Sequence, residues 1–205
     1  MLPVLKLRIP TETTIPWDTL AVEFDNAPRE HDLEKGQSLS TWNWSENPRL
    51  DLDPWFKPIK DLIERTVQTN MQVQEPYESW VMNTWMNRHW RTGQTQPHKH
   101  EGCDLVFACY LSVPQDSGAF LLKYEDKWYR IPVTTGDILV FPGMLEHATE
   151  ASNADEPRTV FTVNASPTGM IWRDIPQPEE LMQQGHTMPQ ALGIITEQYL
   201  NGHYK

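Results

Sequence analysis

The sequence predicts a mainly β domain of the sandwich or jelly-roll type, with a supporting helix before the strands and a helical tail after them. Three observations carry that expectation. About seven or eight short apolar or alternating runs follow one another between Ser79 and Ser166. Turn chemistry separates most of them, at Pro114–Gly118, Glu125–Asp126, Thr135–Gly136 and Ser152–Pro157. No helical periodicity interrupts the series, so the strands must bury their apolar faces against a second sheet.

The elements follow in order. Val4–Ile9 (VLKLRI) alternates apolar and polar, as a half-buried strand does. Residues 10–50 are rich in Pro, Thr, Asn and Asp and read as loops, with one short strand around Gln37–Trp44. DPWFKPIKDLIERTVQTN reads as a helix. Asp53 suits the cap and Pro54 the first helical position. Phe56, Ile59, Ile63 and Val67 then recur at helical spacing, so one face packs on the outside of a sheet. SWVMNTWMNRHW, DLVFACYLSV, GAFLLKYE, KWYRIPV, GDILVFPG, HATEAS and RTVFTVNAS are the strands. From Asp174 the pattern changes. Pro178–Gln184, stopped by Gly185, and Pro189–Leu200, capped by Thr187, read as short helices. Such a tail covers a sheet, closes a site or contacts a second copy in a homodimer.

Composition narrows the function classes. A chain of 205 residues suits one domain, spanning 1–205. A net charge of -11 repels phosphate backbones, so duplex nucleic acid is not expected as a partner. The small basic neighbourhood of Arg88, Arg91 and Lys99 is only a local exception. Cys103 and Cys109 are too few for a disulfide scaffold and too far apart on one strand to bridge. They read as free thiols in a reducing cytoplasm. No apolar run approaches the ~18 residues of a membrane helix, and the N-terminus lacks a signal-peptide pattern. The expectation is a cytoplasmic protein without membrane contact.

The chemistry concentrates in QPHKHEGCD, Gln96–Asp104. Taken alone, a His-x-His pair there reads as a solvated loop. On a straight strand the two rings would point to opposite faces. At a strand end both can turn toward one ion, and a third ligand then completes a coordination face with open positions. His147 is the candidate, because GDILVFPGMLEH places it just after a strand and a Pro-Gly turn. His31, His186 and His203 lie in polar or terminal segments and read as surface residues.

The span from about Ser79 to Ala165 resembles the iron(II)/2-oxoglutarate-dependent oxygenases, in particular their small bacterial and phage members. It carries SWVMNTWMN, Gly93, HKH, ACYL, GDILVFPGMLEH and RTVFTVN in the order of that pattern. The resemblance implies a double-stranded β-helix over 76–166, supported by 1–75 and followed by the tail 167–205. It implies Fe(II) held by His98, His100 and His147. The superfamily usually has Asp or Glu at the second position. A carboxylate from Glu101 or Asp104, with His100 behind it, therefore stays open.

The resemblance also implies 2-oxoglutarate as cosubstrate, with Arg158 taking its 5-carboxylate through a forked guanidinium. Tyr110 in ACYLS occupies the place of a hydroxyl donor to the same carboxylate. Strand parity puts Arg158, Val160, Thr162 and Asn164 on one face. Thr162 stands in for the polar group that relatives carry at Val160, and Asn164 reaches toward the metal end of the cosubstrate. Asn87 and His89 match pocket positions of the nucleic-acid-demethylating branch.

The implied activity is hydroxylation of a C–H bond in a peptide, amino acid or small metabolite, with no side chain acting as acid or base. Two other readings remain. One is a cupin-type dioxygenase or isomerase without 2-oxoglutarate, built from HKH, Asp104 and Pro142–His147. The other is a binding protein whose histidines are incidental. Trp80, Trp85, Trp90 and Trp128 read as packing residues, and Cys103 as a thiol near enough to the metal loop to be oxidised.

Overall fold

The computed structural model describes residues 2–20, 38–41, 53–71 and 81–165. The predicted tail and Trp80 lie outside the described residues. Among the described residues nine strands form: β1 (Leu5–Arg8), β2 (Ser38–Ser40), β3 (Val81–His89), β4 (Leu105–Ser112), β5 (Phe120–Tyr124), β6 (Lys127–Ile131), β7 (Asp137–Pro142), β8 (His147–Thr149) and β9 (Arg158–Ala165). They make a six-stranded sheet in the order β1-β7-β4-β9-β3-β2 and a three-stranded sheet in the order β6-β5-β8. Among the described residues every pairing between these strands is antiparallel. This is the predicted jelly roll.

The two faces of the large sheet have different tasks. Side chains alternate along a strand, so β3 sends Thr84 and Met86 one way and Trp85, Asn87 and His89 the other. On the first face, helix α1 (Lys57–Met71), entered through a 3-10 turn at Pro54–Phe56, buries Phe56, Ile59 and Ile63. These pack with Met86, Phe107, Cys109, Phe161 and Val163. The Phe56 and Phe161 ring centroids lie 5.0 Å apart. Each fully buried aliphatic or aromatic side chain contributes about 1.5–3 kcal/mol. The second face meets the small sheet, and Val106, Tyr110, Phe120, Leu122, Leu139 and Phe141 fill the space between.

Two local expectations change. Asp53 sits at the N-cap position with extended backbone, but its side chain makes no capping bond. The tight first turn closes instead through Phe56 N–H to the Asp53 carbonyl, at 3.0 Å. The N-terminal strand forms, yet Leu5 stays 41% exposed because β1 is a sheet edge, and only Leu7 joins the core. What secures β1 is charge. Lys6 and Arg8 reach the buried Asp137 carboxylate at 2.8 and 2.7 Å. Burial alone would raise that carboxyl, but the bonds from Lys6, Arg8 and Thr134 hold it low. Cys103 and Cys109 are free and buried in opposite cores. Between β5 and β6, Glu125 and Asp126 have φ of 48° and 60°, as a two-residue type I′ hairpin requires.

Candidate metal centre

The HKH loop is stitched to the β7–β8 turn by backbone bonds. His98 and His147 exchange N–H···O bonds of 3.0 and 2.9 Å, and His100 N–H donates to the Gly143 carbonyl at 2.8 Å. This leaves the loop off the regular strand geometry, so His98 and His100 no longer point to opposite faces. Their rings converge with His147, and the three ligand atoms all lie within 4.8 Å of one another. Neither Glu101 nor Asp104 joins that group among the described residues.

The hydrogen bonds fix which nitrogen of each ring faces inward. His98 Nδ1 meets the Gln96 carbonyl at 2.8 Å and His147 Nδ1 meets the Leu145 carbonyl at 2.9 Å. A carbonyl only accepts, so both Nδ1 atoms carry hydrogen and both Nε2 atoms present lone pairs. His100 Nδ1 meets Asn164 Oδ1 at 2.7 Å, which places its lone pair on Nε2 as well. The Nε2 atoms of His98 and His100 then stand 3.0 Å apart. Two lone pairs at that distance repel unless a cation lies against both. With metal–nitrogen bonds of about 2.1 Å, two ligands at a right angle stand about 3.0 Å apart. His98 and His100 therefore have the spacing of two adjacent ligands of one divalent metal, and His147 is the third donor of the group.

Electrostatics agree. Burial, opposed by the Asn164 bond and aided by His98, lowers the His100 pKa to about 4. Burial and the neighbouring histidines lower His147 to about 3. Both rings are neutral near pH 7, the form that binds metal.

The other predicted residues fall in three places. Asn87, His89, Tyr110 and Thr162 line a cavity of about 50 Å³ between the sheets, with the three histidines at one side. It shares Asn87, His89, His98 and His100 with an adjoining cleft of about 510 Å³. Asn164 lines the cleft and is tied to His100. Arg158 is fully buried behind the cavity wall, paired in register with His89 across β3–β9. Its Nη1 donates to the carbonyls of Ser117 and Gly118 at 2.6 and 3.3 Å, and Nη2 to that of Glu150 at 3.5 Å. No carboxylate pairs with it among the described residues, and its Nε is buried without a partner. Burial works against its charge, with Tyr110 and Glu150 opposing that effect.

Sequence reasoning missed several supporting residues. Thr95 Oγ1 lies 3.0 Å from His89 Nε2, while its backbone N–H bonds Thr149 Oγ1 at 2.8 Å. Its place in TGQTQ, just before the histidines, was the available signal. Trp85 packs, as expected, but against a predicted ligand: its ring centroid is 5.2 Å from that of His100. Cys103 departs from expectation. Burial and the Asp104 charge push its thiol up to about 12, far from the reactive thiolate.

No family model and no curated protein sequence matches the chain. Solved structures do. An oxidoreductase of the 2OG-Fe(II) oxygenase family from Burkholderia pseudomallei superposes with a TM-score of 0.56 at 14% identity, covering 80% of this chain and 84% of that one. A prolyl hydroxylase from Trichoplax adhaerens, solved with a hypoxia inducible factor oxygen degradation domain peptide fragment, gives 0.53 at 11% identity, covering 80% and 84%. The chain therefore has the double-stranded β-helix fold of the 2OG-Fe(II) oxygenase family.

Proposed function

We propose that the protein is an Fe(II)- and 2-oxoglutarate-dependent oxygenase that hydroxylates a C–H bond of a peptide, an amino acid or a small metabolite. The observation that carries this reading is the clustering of three histidine ligand atoms within 4.8 Å of one another, with each Nδ1 engaged elsewhere. The second support is Arg158. A buried guanidinium without a carboxylate is costly, and a ligand carboxylate relieves that cost. A metal site that uses no anionic cosubstrate gives Arg158 no such partner. The peptide bound to the Trichoplax adhaerens relative is the reason a peptide heads the substrate classes.

In this reading His98, His100 and His147 hold Fe(II). Bound iron with 2-oxoglutarate supplies dioxygen activation coupled to decarboxylation of the cosubstrate. The chain's own part is binding and exclusion of water. Three protein ligands would leave coordination positions on the ion for the cosubstrate. Tyr110, Thr162, Asn87 and His89 surround the cosubstrate, and Arg158 supplies the positive charge for its distal carboxylate. Apolar Val160, Phe120 and Phe141 line the same cavity and keep it dry.

The test is anaerobic addition of Fe(II) with and without 2-oxoglutarate. A visible charge-transfer band should require both. Arg158→Ala should weaken 2-oxoglutarate binding far more than iron binding. His98→Ala and His147→Ala should each abolish metal binding. Iron binding without any 2-oxoglutarate response selects the metal-only reading. Unchanged metal affinity in both histidine variants overturns the metal centre.

A further inference from the structure

We infer that Asn164 is the positioning residue that makes His100 a metal ligand, rather than a contact for the cosubstrate. The inference rests on the metal reading above and concerns one bond inside it. Two of the three histidines are oriented by carbonyls of their own loops, two residues earlier in the chain, Gln96 for His98 and Leu145 for His147. Those bonds are backbone-made and survive almost any substitution. His100 Nδ1 meets a side chain instead, at the shortest of the three distances, 2.7 Å.

Asn164 can hold that position firmly. It lies near the end of β9, in register with Asn83 of β3 and Val106 of β4, so both neighbours in the sheet fix its backbone. It is 6% exposed. With Oδ1 accepting from Nδ1–H, the His100 lone pair is on Nε2 and faces the other two ligands. Without Oδ1, the buried Nδ1–H would lose the acceptor it has at 2.7 Å. The proton would then move to Nε2, where His98 Nε2 waits 3.0 Å away as an acceptor. A metal would have to break that histidine–histidine bond before it could bind. Asn164 thus shifts the balance between a metal-ready ring and a self-bonded pair. A second-layer partner of this kind typically changes metal affinity 10–100-fold.

The experiment uses the full chain and three forms: wild type, Asn164→Ala and Asn164→Asp. Co(II) is the probe, read by its visible spectrum and by titration calorimetry, with 2-oxoglutarate added separately. Nitrogen-15 NMR of the metal-free protein reports the His100 tautomer. The expected result is Nδ1–H on His100 in the wild type and in Asn164→Asp, because a carboxylate also accepts. Asn164→Ala should move the proton to Nε2 and weaken Co(II) binding about 10–100-fold. Asn164→Asp should bind Co(II) at least as tightly as the wild type. Co(II) affinity unchanged in Asn164→Ala overturns the inference, and loss of 2-oxoglutarate binding alone would make Asn164 a cosubstrate contact instead. Equal loss in Asn164→Asp and Asn164→Ala also overturns it, since a merely structural role would not distinguish them. Wild-type protein that binds no Co(II) overturns the metal reading itself.

Discussion

His89 stands apart from the three converging histidines, which among the described residues form the group that could hold a metal. It is 4% exposed, its Nε2 faces Thr95, and its Nδ1 is buried without a partner among the described residues. Burial, with the Arg158 charge adding to it, lowers its pKa to about 3. The same direction holds at His100 and His147, at about 4 and 3. In each case the folded value lies below the unfolded one of about 6.5. Below that pH the unfolded chain takes protons that the folded chain refuses, so stability rises with pH and is lost on acidification. The carboxylates held low, Asp137 and Glu150, act in the same direction but only near and below their own unfolded range. Between pH 6.5 and 4.5 the histidines dominate. The metal-free protein should therefore lose stability steadily over that window, by up to about 1.4 kcal/mol per pH unit for each histidine. Urea unfolding at successive pH values measures it. His89→Gln should reduce the slope by one histidine's share, and a flat profile down to pH 4.5 would contradict the assignment.

The β7–β8 turn shows what a short element can decide. Gly143 is needed not for its backbone angles but for its missing side chain. A Cβ there would stand 2.5 Å from the Cys103 carbonyl, 2.6 Å from its Sγ and 2.8 Å from the His100 carbonyl. Two of those atoms are backbone, so they cannot swing aside. The close approach is what allows Gly143 to exchange bonds with the loop, accepting from His100 N–H and donating to the Asp104 carbonyl at 3.1 Å. Gly143→Ala should cost about 1–3 kcal/mol of stability, as overpacking does, and should also weaken Co(II) binding. Met144→Ala beside it, where the side chain is 45% exposed, should do neither. Thermal unfolding and Co(II) titration of the two variants settle the point. The order of strands and the position of His147 were readable because alternation and turn residues are local signals. So was the apolar face of α1, at Phe56, Ile59 and Ile63. The reason for Gly143 was not readable, since it depends on a loop distant in sequence. The same holds for Asn164: parity placed it on the inner face, but only the register with Asn83 and Val106 brings it to His100. Asp53 looked like a capping residue by type, and the 3-10 geometry at Pro54 satisfied the turn without it.

Among the described residues the large sheet separates two cores, one on each face. The helix-side core contains Ile59 and Ile63, and the inner core contains Tyr110, Leu139 and Phe141 beside the metal centre. Substitutions on the helix side should therefore change stability without changing the site. Ile63→Ala should cost about 2–5 kcal/mol and leave Co(II) affinity as it was, when both are measured well below the melting transition. Ligands should work in the opposite sense. The metal centre joins the small sheet, through His147 on β8, to the loop that leads into β4 of the large sheet, through His98 and His100. Arg158 lies on β9 of the large sheet and holds the Ser117–Gly118 turn that leads into β5 of the small one. In the proposed function, metal and cosubstrate would each close the sandwich at a different point. Anything that binds only the folded state stabilises it by mass action, by about 2.7 kcal/mol at a hundredfold excess over Kd. Chelator-treated protein should remain folded, because both cores are complete without metal. Metal should raise its melting temperature, and, on the proposed function, 2-oxoglutarate should raise it further only after metal is present. Differential scanning fluorimetry of the apo, metal, 2-oxoglutarate and combined samples tests this order. A shift from 2-oxoglutarate alone as large as the combined shift would show that Arg158 captures the anion independently of the metal, and would break the coupling argued here.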